Sequence, residues 1–226
     1  MYRPTGCGLA SISEHYTQRN LAASIRAALE QAGLLSSSSG AGQLSVKDLA
    51  GLDEFHVGGR PATAYFFHEA LRLCKGDRLL DVGCGLGGAA RFAAVGALCS
   101  SGSGCSCECR VVGVDLTESY VEAGTMLNEL CGISEEQVSL RVGSALDLNA
   151  VMRDGTECGS FDKAYLLHVG MNISDKVSLM KSIAQQIKPG GFVGVYDIMR
   201  CGSEDDPLEF PLPWASAESQ NSCTSP

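Results

Sequence analysis

Between residues 75 and 199 the chain alternates between two hydrophobic periods. Short apolar runs, RLLDVGC (78–84), RVVGVDL (110–116), VSLRVGS (138–144), FDKAYLLHVG (161–170) and GFVGVYDIM (191–199), predict buried strands. Between them, GGAARFAAVGALC (87–99), TESYVEAGTMLNELCG (117–132) and DKVSLMKSIAQQI (175–187) carry apolar residues at helical spacing. Thr117 and Ser174 stand where N-caps are expected and Gly132 where a C-cap is. KPGG (188–191) predicts the turn that ends the last helix. Strands separated by helices of this length imply parallel crossovers. The expected class is therefore α/β, a doubly wound, mostly parallel sheet in three α/β/α layers.

The front third is different. EHYTQRNLAASIRAALEQAG (14–33) reads as one amphipathic helix ending at Gly33, and SSSSGAG (36–42) as a flexible linker. PATAYFFHEALRLC (61–74) reads as a helix with Pro61 in its first turn. The pattern divides the chain into a helical cap or lid over 1–74, an α/β domain over 75–215 and a disordered tail over 216–226.

Composition narrows the picture. The 226 residues suit one sizeable domain, and the hydrophobic share of 45% supplies a core. No apolar run approaches the roughly 18 residues of a membrane helix. The N-terminus lacks the layout of a secretory signal, so a cytoplasmic protein is expected. A net charge of −9 without a Lys/Arg run argues against nucleic acid as partner. Of the 11 cysteines, Cys99, Cys105, Cys107 and Cys109 crowd together, but their spacing is not that of a zinc knuckle. They read as a Gly/Ser/Cys insertion, with no metal expected.

Candidate chemistry centres on LLDVGCGLGGAARF (79–92), which holds four glycines in six positions after a strand. Gly83, Gly85 and Gly88 spell the G-x-G-x-x-G of a dinucleotide site. Asp81, Gly83, Gly85 and Gly87 spell the acidic-x-G-x-G-x-G of an S-adenosylmethionine site. Glycines let main chain approach a ligand without Cβ clashes. Asp115, ending the second strand, can accept two hydrogen bonds from ribose hydroxyls. It can also serve as a helix-capping acid. Its distance from Gly83 exceeds the roughly 20 residues usual for a dinucleotide site. The cysteine-rich insertion accounts for the excess. Asp81 would repel a pyrophosphate and suits a cation, which favours the sulfonium ligand.

In order, LLDVGCGLGG, VVGVDLTESYVE, VGSALDL, FDKAYLLHV and IKPGGFVGVYDI resemble the successive motifs of class I S-adenosylmethionine-dependent methyltransferases, whose sheet is Rossmann-like. DEFHVGGRPAT (53–63), MNISDK (171–176) and FPLPWA (210–215) are similar to the small-molecule branch, with its sarcosine/dimethylglycine-type N-methyltransferases and methyltransferase-11 domains. The resemblance covers roughly residues 14 to 215. It implies S-adenosylmethionine as cofactor. Gly83, Cys84 and Gly85 would line its methionine, with Asp81 orienting the ammonium. Asp115 would hold the ribose, Leu116 would flank the adenine, and Ser144, Ala145 and Leu146 would meet the adenine edge. His168 would lie near the sulfonium and the acceptor, and Tyr16 would close over the cofactor. His56, Arg60, Met171, Asn172 and Tyr196 are the implied acceptor-side residues.

Methyl transfer from a sulfonium is an in-line displacement, so alignment and desolvation are the protein's main tasks. The acceptor is expected to be a small molecule, an amine first. Where a base is needed, His168 is the candidate, with His56 and Tyr196 behind it. Arg60 could hold an acceptor carboxylate bidentately. The family continues past the fifth strand with a helix and an antiparallel hairpin; here FPLPWASAESQNSCTSP follows, so the expectation is either that two sheet strands are missing or that the sequence is a truncated product. The sheet is expected to be short of those strands, with an edge open to a homodimer mate or another partner. The rival readings are a cofactor-binding or inactive scaffold needing such a partner, and a NAD(P)-dependent oxidoreductase.

Overall fold

The computed structural model describes residues 20–35, 44–97, 107–152, 158–199 and 212. Five strands form one sheet: β1 Arg78–Val82, β2 Arg110–Asp115, β3 Val138–Val142, β4 Phe161–Leu167 and β5 Ile187–Tyr196. Every pairing is parallel, in the order β3-β2-β1-β4-β5. The helices are α1 Leu21–Gln31, α2 Gly59–Tyr65, α3 Gly88–Val95, α4 Glu118–Leu130 and α5 Lys176–Ala184, with 3-10 turns at Leu148–Ala150 and Gly170–Asn172. The α/β class and doubly wound sheet are thus as the alternating pattern implies.

Two consecutive residues of β1 show how the layers form. Leu79 packs with the alanines of α3 and with Phe67, while Leu80 faces Leu179 and Ile183 of α5. Both leucines are wholly buried, because successive strand side chains point to opposite faces and here both faces are covered. A third cluster joins Ile25 and Leu29 of α1 to Leu127 and Leu130 of α4 and includes Leu49.

Several boundaries differ from the pattern. The helix expected over 61–74 begins at Gly59 and widens into a π-turn over Phe66–Ala70, in which Leu71 donates to the Phe66 carbonyl. KPGG is not a turn after a helix. Residues 188–191 lie inside β5, beside a register irregularity near Phe161/Lys163, and Gly190 takes the φ of 83° that this bend requires. The cap of α5 is Asp175, whose carboxylate accepts from Ser178 N at 2.8 Å, rather than Ser174. Asp and Ser cap about equally well, so the two neighbours are not separable by residue type. Thr117 precedes α4 as expected, yet its side chain makes no cap bond.

The helix read over 14–33 is described from Leu21 onward. Residues 14–19, the linker, Cys99, Cys105 and the 216–226 tail lie outside the described residues. Among the described residues, no helix is long and apolar enough to cross a membrane, and no group of three or more His, Cys, Asp or Glu is placed to hold a metal ion.

Candidate functional site

The strand order turns back between β1 and β4, and a parallel sheet leaves a crevice at that switch point. The crevice is a cavity of about 480 Å³ beyond the carboxyl ends of β1, β2 and β4. It has a floor made by the strand ends and a rim made by residues 53–57 and the loop after β4.

The floor starts at Gly83. Its N–H donates to Val114 O at 2.7 Å, and a φ of 78° turns the chain out of the sheet. Gly85 follows at φ 51°, and a Cβ built there would meet nothing within 4 Å. Its bare face opens onto the cavity. Gly88 has another task. A Cβ there would run into the main chain and carboxyl of Asp53, so the third glycine of the dinucleotide template seats the rim segment.

Asp115 braces this bend. Its Oδ2 accepts from Gly85 N at 2.8 Å and its Oδ1 from Thr117 N at 2.9 Å. Each oxygen retains capacity to accept again. Burial raises its pKa, opposed by the N–H groups of Thr117 and Gly85. Asp81, 2% exposed, is pushed up to about 7 by burial; the Tyr165 hydroxyl beside it opposes the rise and the Asp115 charge adds to it. Its Oδ2 is buried without a hydrogen-bond partner. Cys84 lies between these acids, and burial followed by the Asp81 and Asp115 charges raises its thiol well above the usual range. It is a wall atom rather than a nucleophile.

These features fit a nucleoside that carries positive charge. Gly85 leaves room for it, Asp115 can accept from a vicinal diol, and the orphaned oxygen of Asp81 can face a cation. Two carboxylates at the bend oppose a pyrophosphate.

The rim depends on one buried arginine. Arg91, fully buried in α3, donates to Asp53 Oδ2 at 2.8 Å, Asn128 Oδ1 at 2.8 Å, Gly124 O at 3.1 Å and Leu86 O at 2.6 Å. Asp53 is thereby tied to α3, and Glu54, Phe55, His56 and Val57 follow it across the cavity mouth. The His56 ring centroid lies 5.9 Å from that of His168 and 6.1 Å from that of Tyr196. His168 takes a left-handed φ of 57° at the end of β4. Its pKa is lowered, first by burial and also by His56, while Asp197 opposes. Its imidazole is therefore neutral near neutral pH.

Of the residues singled out in the sequence, Asp81, Gly83, Cys84, Gly85, Asp115 and Leu116 line the floor. Ser144, Ala145 and Leu146 line the wall beyond β3, where Ser144 Oγ accepts from Leu146 N at 3.2 Å. His56, His168, Met171 and Asn172 line the side of the cavity formed by the rim and the loop after β4, and Asn172 Oδ1 is buried without a partner. Tyr196 stands behind this wall, its hydroxyl donating to Val57 O at 3.2 Å. Arg60 is not among the described lining residues. It ion-pairs with Glu54, reaches Asp53 at 3.6 Å and lies over the Phe92 ring at 4.5 Å. Tyr16 lies outside the described residues.

Sequence reasoning missed Asp53, Glu54, Thr63 and Arg91. Arg91 did leave a signal: it is the one charge in the otherwise apolar GAARFAAV, so it had to enter the core with a partner.

A family model described as a methyltransferase domain matches residues 73–224. The sterol 24-C-methyltransferase of Eremothecium gossypii is 30% identical over 142 residues, which cover 63% of this chain and 33% of that protein. The erythromycin 3''-O-methyltransferase of Saccharopolyspora erythraea is 30% identical over 131 residues, 58% of this chain and 38% of that protein. Phosphoethanolamine N-methyltransferase 2 of Haemonchus contortus, solved in complex with S-adenosyl-L-methionine, shares the fold. Its TM-score is 0.52 at 24% identity, covering 66% of this chain and 30% of that one. The chain spans about a third of the length of the curated relatives it matches.

Proposed function

The chain belongs to the methyltransferase domain family, of the class I S-adenosylmethionine-dependent type, and from that premise we propose that it transfers a methyl group to a small-molecule amine by in-line displacement. The observation that carries the reading is the Asp115 carboxylate, braced by the N–H groups of Gly85 and Thr117 across a side-chain-free bend. When bound, S-adenosylmethionine supplies a methyl already activated by the sulfonium charge. Asp115 receives the ribose hydroxyls, and Leu116 with Ser144, Ala145 and Leu146 encloses the adenine. Gly83, Cys84 and Gly85 run along the methionine, and Asp81 faces its ammonium. His56, His168, Met171 and Asn172 hold the acceptor, with Tyr196 behind them, and residues 1–74 act as the cap that excludes water. Holding two reactants in line is worth roughly 7–11 kcal/mol when the geometry is close to that of attack.

Calorimetric titration of the full chain with S-adenosylhomocysteine tests the cofactor half of the reading. Binding is expected for wild type and a loss of at least about 100-fold for Asp115→Ala, by removal of a charged hydrogen-bonding group. Undiminished affinity in that variant, or a preference for NAD(P), overturns it. Turnover with sarcosine, ethanolamine and tyramine tests the acceptor half.

One observation favours a second reading, a scaffold completed by another chain. On the outer strand β5, Phe192 is 64% exposed and Val195 46%, which is unusual for a parallel sheet. A sedimentation measurement showing a strict monomer would count against it.

A further inference from the structure

We propose that Phe55, on the rim, covers the nucleoside of the bound donor, so that one rim side chain reads the donor while its neighbours face the acceptor. The proposal rests on the methyl-transfer reading above.

The contacts of the rim segment show that it crosses the crevice, with consecutive side chains reaching to opposite sides. His56 turns to the side of β4 and β5, where its ring meets those of His168 and Tyr196. Phe55 turns to the side of β2. Its ring centroid lies 6.1 Å from that of Tyr120, with 33° between the planes. Tyr120 stands in the first turn of α4, just beyond the Asp115 that ends β2. In the sheet β1 separates β2 from β4, so the Phe55 and Tyr120 rings belong to the half of the cavity that holds Asp115, Leu116 and Ser144. That half is the one given to the ribose and the adenine.

An exposed hydrophobic side chain is ordinary by itself. Phe55 differs in its place. It is 65% exposed and yet lines the cavity, as Tyr120 does. Tyr120 is half-buried and packs against the cluster shared by α1 and α4. One ring is thus anchored, while the other stands open to solvent at the mouth. A ligand face laid under Phe55 takes that ring out of water, and burial of apolar area with ring stacking is favourable. Stacking needs a π-face and no charge. It suits the base, which carries neither the diol for Asp115 nor the cation for Asp81.

The chain on both sides of Phe55 is tied down. Asp53 Oδ2 accepts from Arg91 at 2.8 Å, Glu54 pairs with Arg60, and Val57 O accepts from the Tyr196 hydroxyl at 3.2 Å. The ring is therefore held at the mouth before a ligand arrives, which lowers the ordering cost of binding. Only position 55 is committed in this way, and it asks for no more than an aromatic ring, so the rest of the rim stays free to vary.

The test reads binding and needs no acceptor. In calorimetric titration of the full chain with S-adenosylhomocysteine, Phe55→Ala is expected to weaken affinity about tenfold or more, the loss typical of one base deprived of one stacking ring. Phe55→Trp should restore wild-type affinity. The thermal midpoint of ligand-free Phe55→Ala should match wild type, because the ring is largely exposed. In the wild-type complex, the adenine protons of S-adenosylhomocysteine should show nuclear Overhauser contacts to the Phe55 ring. An undiminished affinity in Phe55→Ala, or contacts from that ring to the homocysteine chain alone, overturns the proposal and leaves the methyl-transfer reading standing. Failure of wild type to bind S-adenosylhomocysteine overturns that reading and the proposal with it.

Discussion

The floor and the rim of the cavity are built on opposite plans. The floor comes from strand ends that follow one another in the sheet, with main chain as its working surface: Gly83, Gly85 and Asp115 are fixed by β1, β2 and two N–H bonds. The rim draws on three separate stretches, since the segment from Glu54 to Thr63, His168 and Tyr196 meet only through tertiary packing. Its working surface is side chains. The floor can thus recognise what is common to one donor, while the rim can vary with the acceptor.

The strongest way to break the comparison is to cut the link between the two parts. Arg91→Met leaves Asp53 and Asn128 buried without their partner, and a loss of about 3–5 kcal/mol is expected in denaturant unfolding. Asp53→Asn added to it should recover part of that loss. If the single variant is as stable as wild type, the rim is not held by this ion pair.

A smaller effect separates two glycines of one turn. Gly88→Ala is expected to cost about 1–3 kcal/mol, because its Cβ meets main chain of Asp53 that cannot yield. Gly85→Ala finds open space and should cost about 1–2 kcal/mol, from its left-handed φ alone. Yet Gly85→Ala should weaken S-adenosylhomocysteine binding the more, since its methyl enters the cavity. Equal affinities for the two variants would erase the distinction between seat and ligand surface.

The smallest effect is a fraction of a proton. With a pKa of about 7, Asp81 is roughly half protonated at pH 7. A cation bound beside it favours the carboxylate, so binding of S-adenosylmethionine should release about half a proton. Calorimetry in buffers of different ionisation enthalpy reads this directly, and Asp81→Asn should abolish it. Affinity should rise with pH up to about 7 and then level off. For the ligand-free fold the sign is opposite. A carboxyl raised from 3.8 to about 7 binds protons more tightly folded than unfolded. Its stabilising contribution is present below 3.8 and is lost as pH rises through 7.

The floor was the legible part of the sequence for the same reason that it is built as it is. A strand, a glycine run and an acid at the next strand end are local signals, and the fold brings them together without intermediaries. The rim was legible only as isolated letters. His56 and His168 stood out, but nothing local ties Thr63 to Glu54 or Arg91 to Asp53. KPGG was misread because Gly and Pro mark a bend, and a bend inside β5 carries the same letters as a turn before it. Arg60 was legible as a guanidinium near the expected acceptor, but its pairing with Glu54 and its place over Phe92 were not, because neither contact leaves a local pattern.

The close approach of Asp53 to Gly88 bears on how such a domain could be redesigned. Grafting residues 54–63 from another protein would exchange the acceptor face in one move. The graft would take only on a helix start with no side chain at position 88, so that glycine is the docking requirement for any transplanted specificity.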